Sequence, residues 1–394
     1  MDRIKVLIVP SWYPNGQDRL MGQYHLEYAA ALAADGRFDV SMLVIDRARL
    51  KAPVDFLRRP RRFTVQHDGF CAYGLRMLNV APISFDWQQR RYQKALLRAY
   101  RIYEKQLGRP DVIHAMVTVP AGAAACRLGR ELGVPVLITE HASYYRRFFE
   151  GKESRYGAYA AQYASFSAVS RFVADGMSEC TGRPCAVLPN VVDTAVFQPH
   201  ARRQPDGTLR LLIVSALRQG KRIDDAADAV RLLLESGRFR DVRCTVAGDG
   251  FWQQRYIDAV RGKGMDGHFD FVGRKTKPEL AGLLRQTDLL LVTSEFETFC
   301  IPAVEALAAG VPVVSTRCRG PEEFITPVCG ELCRTADPAD MAAAIGRACD
   351  RLDSFDPAAM AAAAARFSGP SVADAAHDIY CRLPGGHFND KSEE

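Results

Sequence analysis

The chain has 394 residues, of which 48% are hydrophobic and 25% are charged, and its formal net charge is +6 at pH 7. This length favours two domains, because one hydrophobic core rarely organises more than about 250–300 residues. No apolar run approaches the roughly 18 residues of a membrane span, and the N-terminal sequence MDRIKVLIVP lacks a secretory pattern. We therefore expect a cytoplasmic protein with ordinary globular domains.

The 11 cysteines do not indicate a disulfide framework or a zinc site. They are odd in number and scattered along the chain, and Cys329 and Cys333 have no second pair at a zinc-like spacing. Reduced thiols in the cytosol are the better interpretation.

The positive charge is concentrated in the first half of the chain. Residues 1–189 have an excess of ten positive charges, and residues 190–394 have an excess of four negative charges. Much of the basic excess lies in segments 56–63 and 87–105. The second segment is basic and amphipathic at helical spacing, so it is either a peripheral contact with the inner face of an anionic membrane or a surface helix packed on its own domain. We favour the second interpretation, and no nucleic-acid-binding module is recognisable.

In chain order, short β-rich runs alternate with helical stretches. Such alternation predicts an α/β protein with two doubly wound, Rossmann-like domains whose parallel sheets are covered on both faces. Polar and proline residues near 189–205 predict the boundary, giving domains of residues 1–189 and 190–367. The predicted strands are 4–10, 38–45, 111–116, 134–141, 166–170, 209–216, 242–248, 269–273, 288–294, 311–316 and 329–333. The predicted helices are 23–34, 87–105, 120–132, 171–180, 223–235, 252–263, 278–285, 303–309, 339–349 and 367–383.

The segment SEFETFCIPAVEALAAG, residues 294–310, contains the clearest site pattern. Glu297 lies in the polar loop after a strand, and Glu305 lies in the first turns of the next helix, where Pro302 suits the first helical position. The carboxyl ends of strands in an open α/β sheet bind ligands, and a helix N-terminus offers free N–H groups to phosphate. Two carboxylates beside such a helix can accept hydrogen bonds from sugar hydroxyls. The pattern therefore predicts a nucleotide-sugar site.

Several further motifs share an order with a known family. They are SWYPNGQDRLMGQYHLEYAAALAADG, DVIHAM, GVPVLITEHAS, SAVSRFVADGM, VLPNVVDTAVFQP, VSALRQGKRID, VAGDG, FVGR, the E-x7-E segment, GVPVVST and GPEEFI. With this order and spacing the chain resembles the retaining glycosyltransferases of glycosyltransferase family four nearly end to end. The resemblance implies the GT-B fold, in which two Rossmann-like domains face each other across a cleft. It also implies that a C-terminal helix, about residues 368–384, crosses back to the first domain.

The resemblance assigns roles to particular residues. Glu297 would face the transferred sugar, Glu305 would hold the ribose hydroxyls, and His141 would line the site near the diphosphate and sugar. Lys221 would neutralise the leaving diphosphate. The remaining donor-binding positions are Gly22 beside the phosphates, Arg222 near the diphosphate, the backbone at Arg274 near the base, and the backbone N–H groups of Phe299, Cys300 and Ile301 on the sugar hydroxyls.

Two departures from the family pattern fall inside the predicted site. The common pattern G-R-L-x-x-x-K-G has Ala216 in place of its arginine and Arg222 in place of its last glycine. Cys300 stands where the family usually has glycine. The missing positive charge would then come from Arg218 or Arg222, between which the sequence does not choose.

His114, within a strand, is expected to be a packed histidine.

The expected function is transfer of a hexose-type sugar from a UDP- or GDP-sugar, with retention, to a saccharide or lipid-linked acceptor in cell-surface polysaccharide or glycolipid synthesis. No bound metal and no cofactor are expected, because the chain has no Asp-x-Asp motif. The alternatives are a UDP-sugar epimerase on the same fold and a non-catalytic homologue with an impaired donor site.

Overall fold

A computed structural model describes residues 3–14, 21–49, 60–79, 84–204 and 206–384. The chain divides into two compact units, Met1–Val191 with Gly369–Glu394, and Val192–Ser368. The boundary lies two residues beyond the one expected from the sequence. Part of the basic segment 56–63 lies outside the described residues.

The first unit contains an eight-stranded sheet in the order β3-β4-β2-β1-β5-β6-β7-β8. Its strands are β1 Ile4–Pro10, β2 Phe38–Arg49, β3 Arg62–Gln66, β4 Cys71–Asn79, β5 Val112–Met116, β6 Val136–Glu140, β7 Ser165–Ala168 and β8 Cys185–Val187. Every neighbouring pair is parallel except β3 and β4, which form an antiparallel hairpin.

Strand β3 is a local addition to the predicted doubly wound sheet, and its pairing with β4 is antiparallel. Only four residues connect β3 to β4, and a parallel pair needs a much longer crossover connection. Strand β3 is mostly exposed, so it has no apolar run by which the sequence would reveal it.

Helices cover both faces of this sheet. They are α1 Gln23–Ala34, α2 Phe85–Leu107, α3 Ala123–Leu132, α4 Ser154–Tyr163 and α5 Arg171–Thr181. Helix α2 contributes Tyr92, Leu96 and Tyr100 to the core on one face, so its apolar stripe packs within its own unit. The core on the other face includes Tyr28 of α1 and Tyr380 of the C-terminal segment.

The second unit has a six-stranded, wholly parallel sheet in the order β11-β10-β9-β12-β13-β14. Its strands are β9 Thr208–Val214, β10 Asp241–Ala247, β11 Phe269–Gly273, β12 Leu289–Val292, β13 Val313–Thr316 and β14 Gly330–Cys333. The helices are α6 Ile223–Glu235, α7 Gln253–Gly262, α8 Lys277–Leu284, α9 Ile301–Ala308, α10 Pro338–Asp350 and α11 Pro357–Ala364. Strand order reverses between β9 and β12, which is the switch point where such sheets bind ligands.

The last helix, α12 Gly369–Cys381, belongs to the first unit although it follows the second in sequence. The Tyr380 hydroxyl lies 3.1 Å from that of Tyr28 and 2.7 Å from His114 Nδ1. Nε2 of the same imidazole lies 2.6 Å from Thr139 Oγ1. His114 is fully buried, and burial lowers its pKa to about 3. His114 therefore joins the C-terminal helix to the sheet as a neutral core residue.

Candidate functional site

Lys221 and Glu297 meet at the switch point of the second sheet. Lys221 lies in the loop after β9, Glu297 lies in the loop after β12, and these two strands are neighbours. Lys221 Nζ is 2.5 Å from Glu297 Oε1, and each side chain is only 19% exposed. Because β9 and β12 pair in parallel, two residues 76 positions apart in the chain form a half-buried ion pair at the carboxyl edge of the sheet.

Neighbouring hydroxyl groups hold both partners in place. The Ser294 hydroxyl donates a 2.6 Å hydrogen bond to Glu297 Oε1, and Thr293 Oγ1 donates to the Lys221 carbonyl at 2.5 Å. The Tyr256 hydroxyl accepts a hydrogen bond from the Lys221 backbone N–H at 3.2 Å and donates to the Arg218 carbonyl at 2.7 Å. The sequence analysis missed Tyr256 and Ser294, although Ser294 lies only three residues before Glu297.

The ion pair keeps Lys221 charged. Burial by itself lowers the pKa of Lys221, but the charge of Glu297 and its hydrogen bond outweigh that effect, so the pKa is raised above its usual value. A permanently charged ammonium group at the carboxyl edge of a sheet can bind an anionic ligand group. That ligand would exchange for Glu297, which would free the carboxylate to accept other hydrogen bonds.

Helix α9 begins immediately after this loop. Ile301 is its first residue, so Pro302 occupies the second helical position and the expected first position is wrong by one residue. Glu305 is 6% exposed within the same helix. The Phe299 side chain packs on Phe324 and Phe367, with ring centroids 5.9 and 5.2 Å away, so it belongs to the core of the second unit.

Two positions where the family usually has glycine keep a glycine-like backbone here. Arg222 has a φ of 47° and Cys300 a φ of 78°, both in the left-handed region that glycine adopts most easily. The Arg222 guanidinium pairs with Asp225 at 2.5 Å and with Glu295 at 2.9 Å. It is thus already neutralised by two carboxylates.

The other basic residues at this edge differ in their partners. Arg274 forms an ion pair with Asp249. The Arg218 side chain is exposed and makes no ion pair among the described residues. Of the two arginines considered as substitutes for the family arginine at Ala216, Arg218 is therefore the one without a competing carboxylate.

Gly22 occupies the N-cap position of α1 in the first unit, with a φ of 73°. A Cβ atom at this position would lie 2.4 Å from the Trp12 carbonyl oxygen. The glycine is therefore required by the backbone itself, whatever approaches the helix N-terminus.

The substitution Gly22→Ala is expected to destabilise the first unit by roughly 2–4 kcal/mol, because left-handed backbone and a backbone clash both penalise a Cβ atom. Gly36→Ala, beyond the other end of the same helix, is the matched control, since no atom lies within 4 Å of its Cβ position. Urea unfolding of both variants measures the difference. Equal stability of the two would contradict the steric argument.

His141 follows β6 at the carboxyl edge of the first sheet, next to the fully buried Glu140. Glu140 Oε1 accepts hydrogen bonds from the backbone N–H groups of His141 and Ala142 at 2.9 and 2.8 Å, while its Oε2 accepts from Thr118 N at 3.0 Å and Oγ1 at 2.6 Å. Burial lowers the pKa of His141 to about 3, against an opposing hydrogen bond from Asn190. His141 is thus a neutral imidazole whose backbone is held by Glu140, a positioning residue that the sequence analysis missed although it is adjacent.

His25 packs beside His141 in a buried aromatic group. Its ring is stacked on Trp12 with centroids 6.0 Å apart and lies 5.0 Å from the His141 ring. It is 1% exposed, and neither ring nitrogen has a hydrogen-bond partner among the described residues. Burial lowers its pKa well below 6.5.

This histidine makes the first unit sensitive to acid. The folded state keeps His25 neutral, whereas His25 of the unfolded chain binds a proton below pH 6.5. The contribution of neutral His25 to stability is therefore complete above pH 6.5 and is lost as the pH falls below that value. The free energy of unfolding should fall between pH 7.5 and pH 5.0 in the wild type. In His25→Phe we expect this fall to be about 2 kcal/mol smaller. Urea titrations at the two pH values measure it, and parallel pH profiles would contradict the assignment.

Within the described residues, no three His, Cys, Asp or Glu side chains form a group that could hold a metal ion. No helix in the described part of the chain is long and apolar enough to cross a membrane.

Two α/β units, one with a mainly parallel and one with a wholly parallel sheet, and a candidate site at a switch point are typical of the GT-B class of glycosyltransferases. Residues 21–196 match the family described as Glycosyltransferase Family 4, and residues 197–354 match glycosyl transferases group 1. Glycogen synthase of Mycobacterium tuberculosis is 31% identical over 316 residues, which are 74% of this chain and 74% of that protein. The chain belongs to glycosyltransferase family four.

Two further similar proteins have a nucleotide sugar in their name or title. A GDP-mannose-dependent alpha-mannosyltransferase of Mycobacterium tuberculosis is 29% identical over 252 residues, covering 59% of this chain and 61% of the relative. The solved structure of HepE from Anabaena in complex with UDP-glucose superposes with a TM-score of 0.68 at 18% identity, covering 97% of this chain and 100% of the other.

Proposed function

We propose that the chain is a retaining, metal-independent glycosyltransferase that moves a hexose-type sugar from a UDP- or GDP-sugar to a saccharide or lipid-linked acceptor. The observation that supports this most directly is the Lys221–Glu297 ion pair at the switch point of the second sheet. The names of the relatives support a nucleoside diphosphate sugar as donor, with either base. Synthesis of cell-surface polysaccharide or glycolipid in the cytoplasm is the pathway class we propose.

In the proposed mechanism the donor diphosphate replaces Glu297 as the partner of Lys221. The ammonium group and the N-terminus of α9 then neutralise the charge that develops as the bond from the anomeric carbon to the phosphate oxygen breaks. The freed Glu297 accepts a hydrogen bond from a sugar hydroxyl, and Glu305 accepts hydrogen bonds from the ribose. The acceptor oxygen bonds to the anomeric carbon on the face that the phosphate leaves, and its proton passes to the departing phosphate.

His141 and Gly22 have proposed roles in the first unit. A neutral imidazole suits a hydrogen-bonding role towards donor or acceptor hydroxyls more than it suits a charged one, and its low pKa keeps it neutral at pH 7. The N-terminus of α1 has no side-chain cap at Gly22, and in the proposed reaction its backbone N–H groups bind a phosphate group of the donor. No cofactor enters the proposed reaction.

A donor screen tests the function. UDP and GDP are compared for thermal stabilisation of the protein, and UDP- and GDP-hexoses are compared for release of the nucleotide. One base should stabilise the protein, and one of its sugars should be hydrolysed slowly even without an acceptor. Absence of both effects with every donor would favour a non-catalytic homologue, and interconversion of two sugars without nucleotide release would favour an epimerase.

Retention and metal independence need separate measurements. The anomeric configuration of the transferred sugar, read by NMR in the product, should match that of the donor. Activity should persist in the presence of a strong chelator. An inverted product or complete loss of activity on chelation would contradict the corresponding part of the proposal.

The departure at Ala216 yields a prediction about diphosphate binding. Ala216 and Gln219 are both exposed in the loop before Lys221. Ala216→Arg should tighten nucleoside diphosphate binding about 5–10-fold by restoring a charge-assisted contact, and Arg218→Gln should weaken it by a similar factor. Gln219→Arg adds the same charge to the same loop and is the control. Calorimetric titration measures the three constants, and equal tightening by both added arginines would show a non-specific charge effect.

A further inference from the structure

We propose that an open pocket on the first unit, lined by none of the candidate-site residues, binds a phosphate-bearing anion. The pocket has a volume of about 440 Å³ and lies on helices α2, α3 and α4. Its lining residues are Arg90, Gln93, Lys94, Arg127, Arg155 and Tyr156. Its volume is within the range of small-molecule sites, which is about 300–1,000 Å³.

The charges around this phosphate pocket leave it positive. Arg90 lies 3.1 Å from Asp86, and Arg155 contacts the same carboxylate, so one acid serves two arginines. Arg127 lies 3.7 Å from Glu131. Lys94 makes no ion pair within the described parts of the chain. Four cations therefore face two carboxylates, and an incoming dianion would complete the balance.

The lining of the pocket also contains a neutral hydrogen-bond donor. Gln93, which is 9% exposed, lines the pocket together with the four cations. Its amide group can donate a hydrogen bond to a phosphate oxygen. Tyr156 is 7% exposed and holds Asp86 through its hydroxyl, so the acid that orients both arginines is itself fixed. A neutral donor within a ring of guanidinium and ammonium groups matches the oxygens of a phosphate.

The phosphate could belong to a lipid headgroup or to a soluble phosphorylated compound. Phe85, at the start of α2, is 37% exposed, and its ring centroid is 5.9 Å from that of Tyr156. An exposed aromatic ring beside a cationic pocket suits the interface of an anionic membrane. The pocket itself also accommodates a soluble diphosphate, so the test has one arm for each source.

The test compares two double variants that remove the same charge from the whole protein. Lys94→Gln with Arg127→Gln removes two cations from the pocket. Arg98→Gln with Lys105→Gln removes two exposed cations of α2 that do not line it. Binding of inorganic pyrophosphate is measured by calorimetry at low ionic strength, and binding to phosphatidylcholine vesicles with and without phosphatidylglycerol is measured by co-sedimentation. Any other phosphate site of the protein is intact in both variants, so its pyrophosphate binding contributes equally to the two measurements.

The pocket variant should bind pyrophosphate at least about tenfold more weakly than the control variant, because two charge-assisted contacts are lost. A matching tenfold difference on phosphatidylglycerol vesicles assigns the phosphate to a lipid, and a difference with pyrophosphate alone assigns it to a soluble compound. Equal losses in the two variants, or no loss in either, would overturn the proposal. The outcome does not depend on the proposed sugar transfer.

Discussion

Lys221→Ala is expected to lower donor turnover by about 10²–10³-fold, because it removes the cation proposed to stabilise the leaving diphosphate. The same change leaves Glu297 without its ammonium partner at 2.5 Å, in a site where the side chain is only 19% exposed. We therefore also expect a loss of about 2–3 kcal/mol in the stability of the second unit, somewhat less than for a fully buried pair. Nucleotide release from the donor and urea unfolding measure the two effects.

Two further variants separate chemistry from folding. Lys221→Arg keeps the charge and should recover most of the stability but only part of the turnover, because a guanidinium group places its charge differently. Lys263→Ala removes another lysine of the second unit, one that pairs with Asp228 outside the candidate site. It should leave turnover within about twofold of wild type, as surface pairs contribute little. Wild-type turnover in Lys221→Ala would refute the proposed role of this residue.

Glu305→Ala is expected to weaken UDP or GDP binding by about 10–100-fold. The proposed contact is a carboxylate that accepts hydrogen bonds from two ribose hydroxyls, and hydrogen bonds to charged groups contribute about 1.5–3 kcal/mol each at most. Glu305 is 6% exposed, so its loss also affects packing, and the thermal unfolding of the unliganded variant must be recorded. Calorimetric titration with the nucleotide then gives the affinity.

The ribose assignment has a direct control in the ligand. A nucleotide whose ribose lacks both hydroxyls should bind wild type and Glu305→Ala with the same affinity, because the contact is absent in each case. Glu295→Ala, in the same segment, removes an exposed carboxylate that pairs with Arg222 and should leave nucleotide affinity nearly unchanged. If Glu305→Ala weakened both nucleotides equally, the carboxylate would act through packing and the ribose contact would be wrong.

The elements with strong apolar periodicity were predicted well from the sequence. Helix α6 was expected at 223–235 and spans Ile223–Glu235, and strand β1 was expected at 4–10 and spans Ile4–Pro10. Local patterns suffice there, because each buried run has a clear period and clear end signals. Strands β3, β4 and β8 were missed because most of their described residues are exposed or half-exposed, so none of them shows the apolar run of a buried strand.

The sequence predicted the candidate site only in part. Glu297, Glu305 and Lys221 were identified from motif context, but the 2.5 Å pairing of Lys221 with Glu297 depends on β9 and β12 being neighbours. Likewise, Arg222 was proposed as a diphosphate ligand, whereas its guanidinium pairs with Asp225 and Glu295. Strand order, and the pairings of Lys221 with Glu297 and of Arg222 with Glu295, arise from contacts between residues far apart in the chain, which no local pattern encodes.

By itself, the sequence determined the α/β class, the two-domain organisation and the residue types available at the carboxyl ends of the strands, because periodicity and motif spacing are local properties. The tertiary structure alone decided which of those residues meet. It joined Lys221 to Glu297 through neighbouring parallel strands, and it placed Glu140 behind His141 as an acceptor for four hydrogen bonds. It also brought helix α12 back to His114 through Tyr380, because burying the apolar face of that helix against the first sheet stabilises the fold irrespective of distance along the chain.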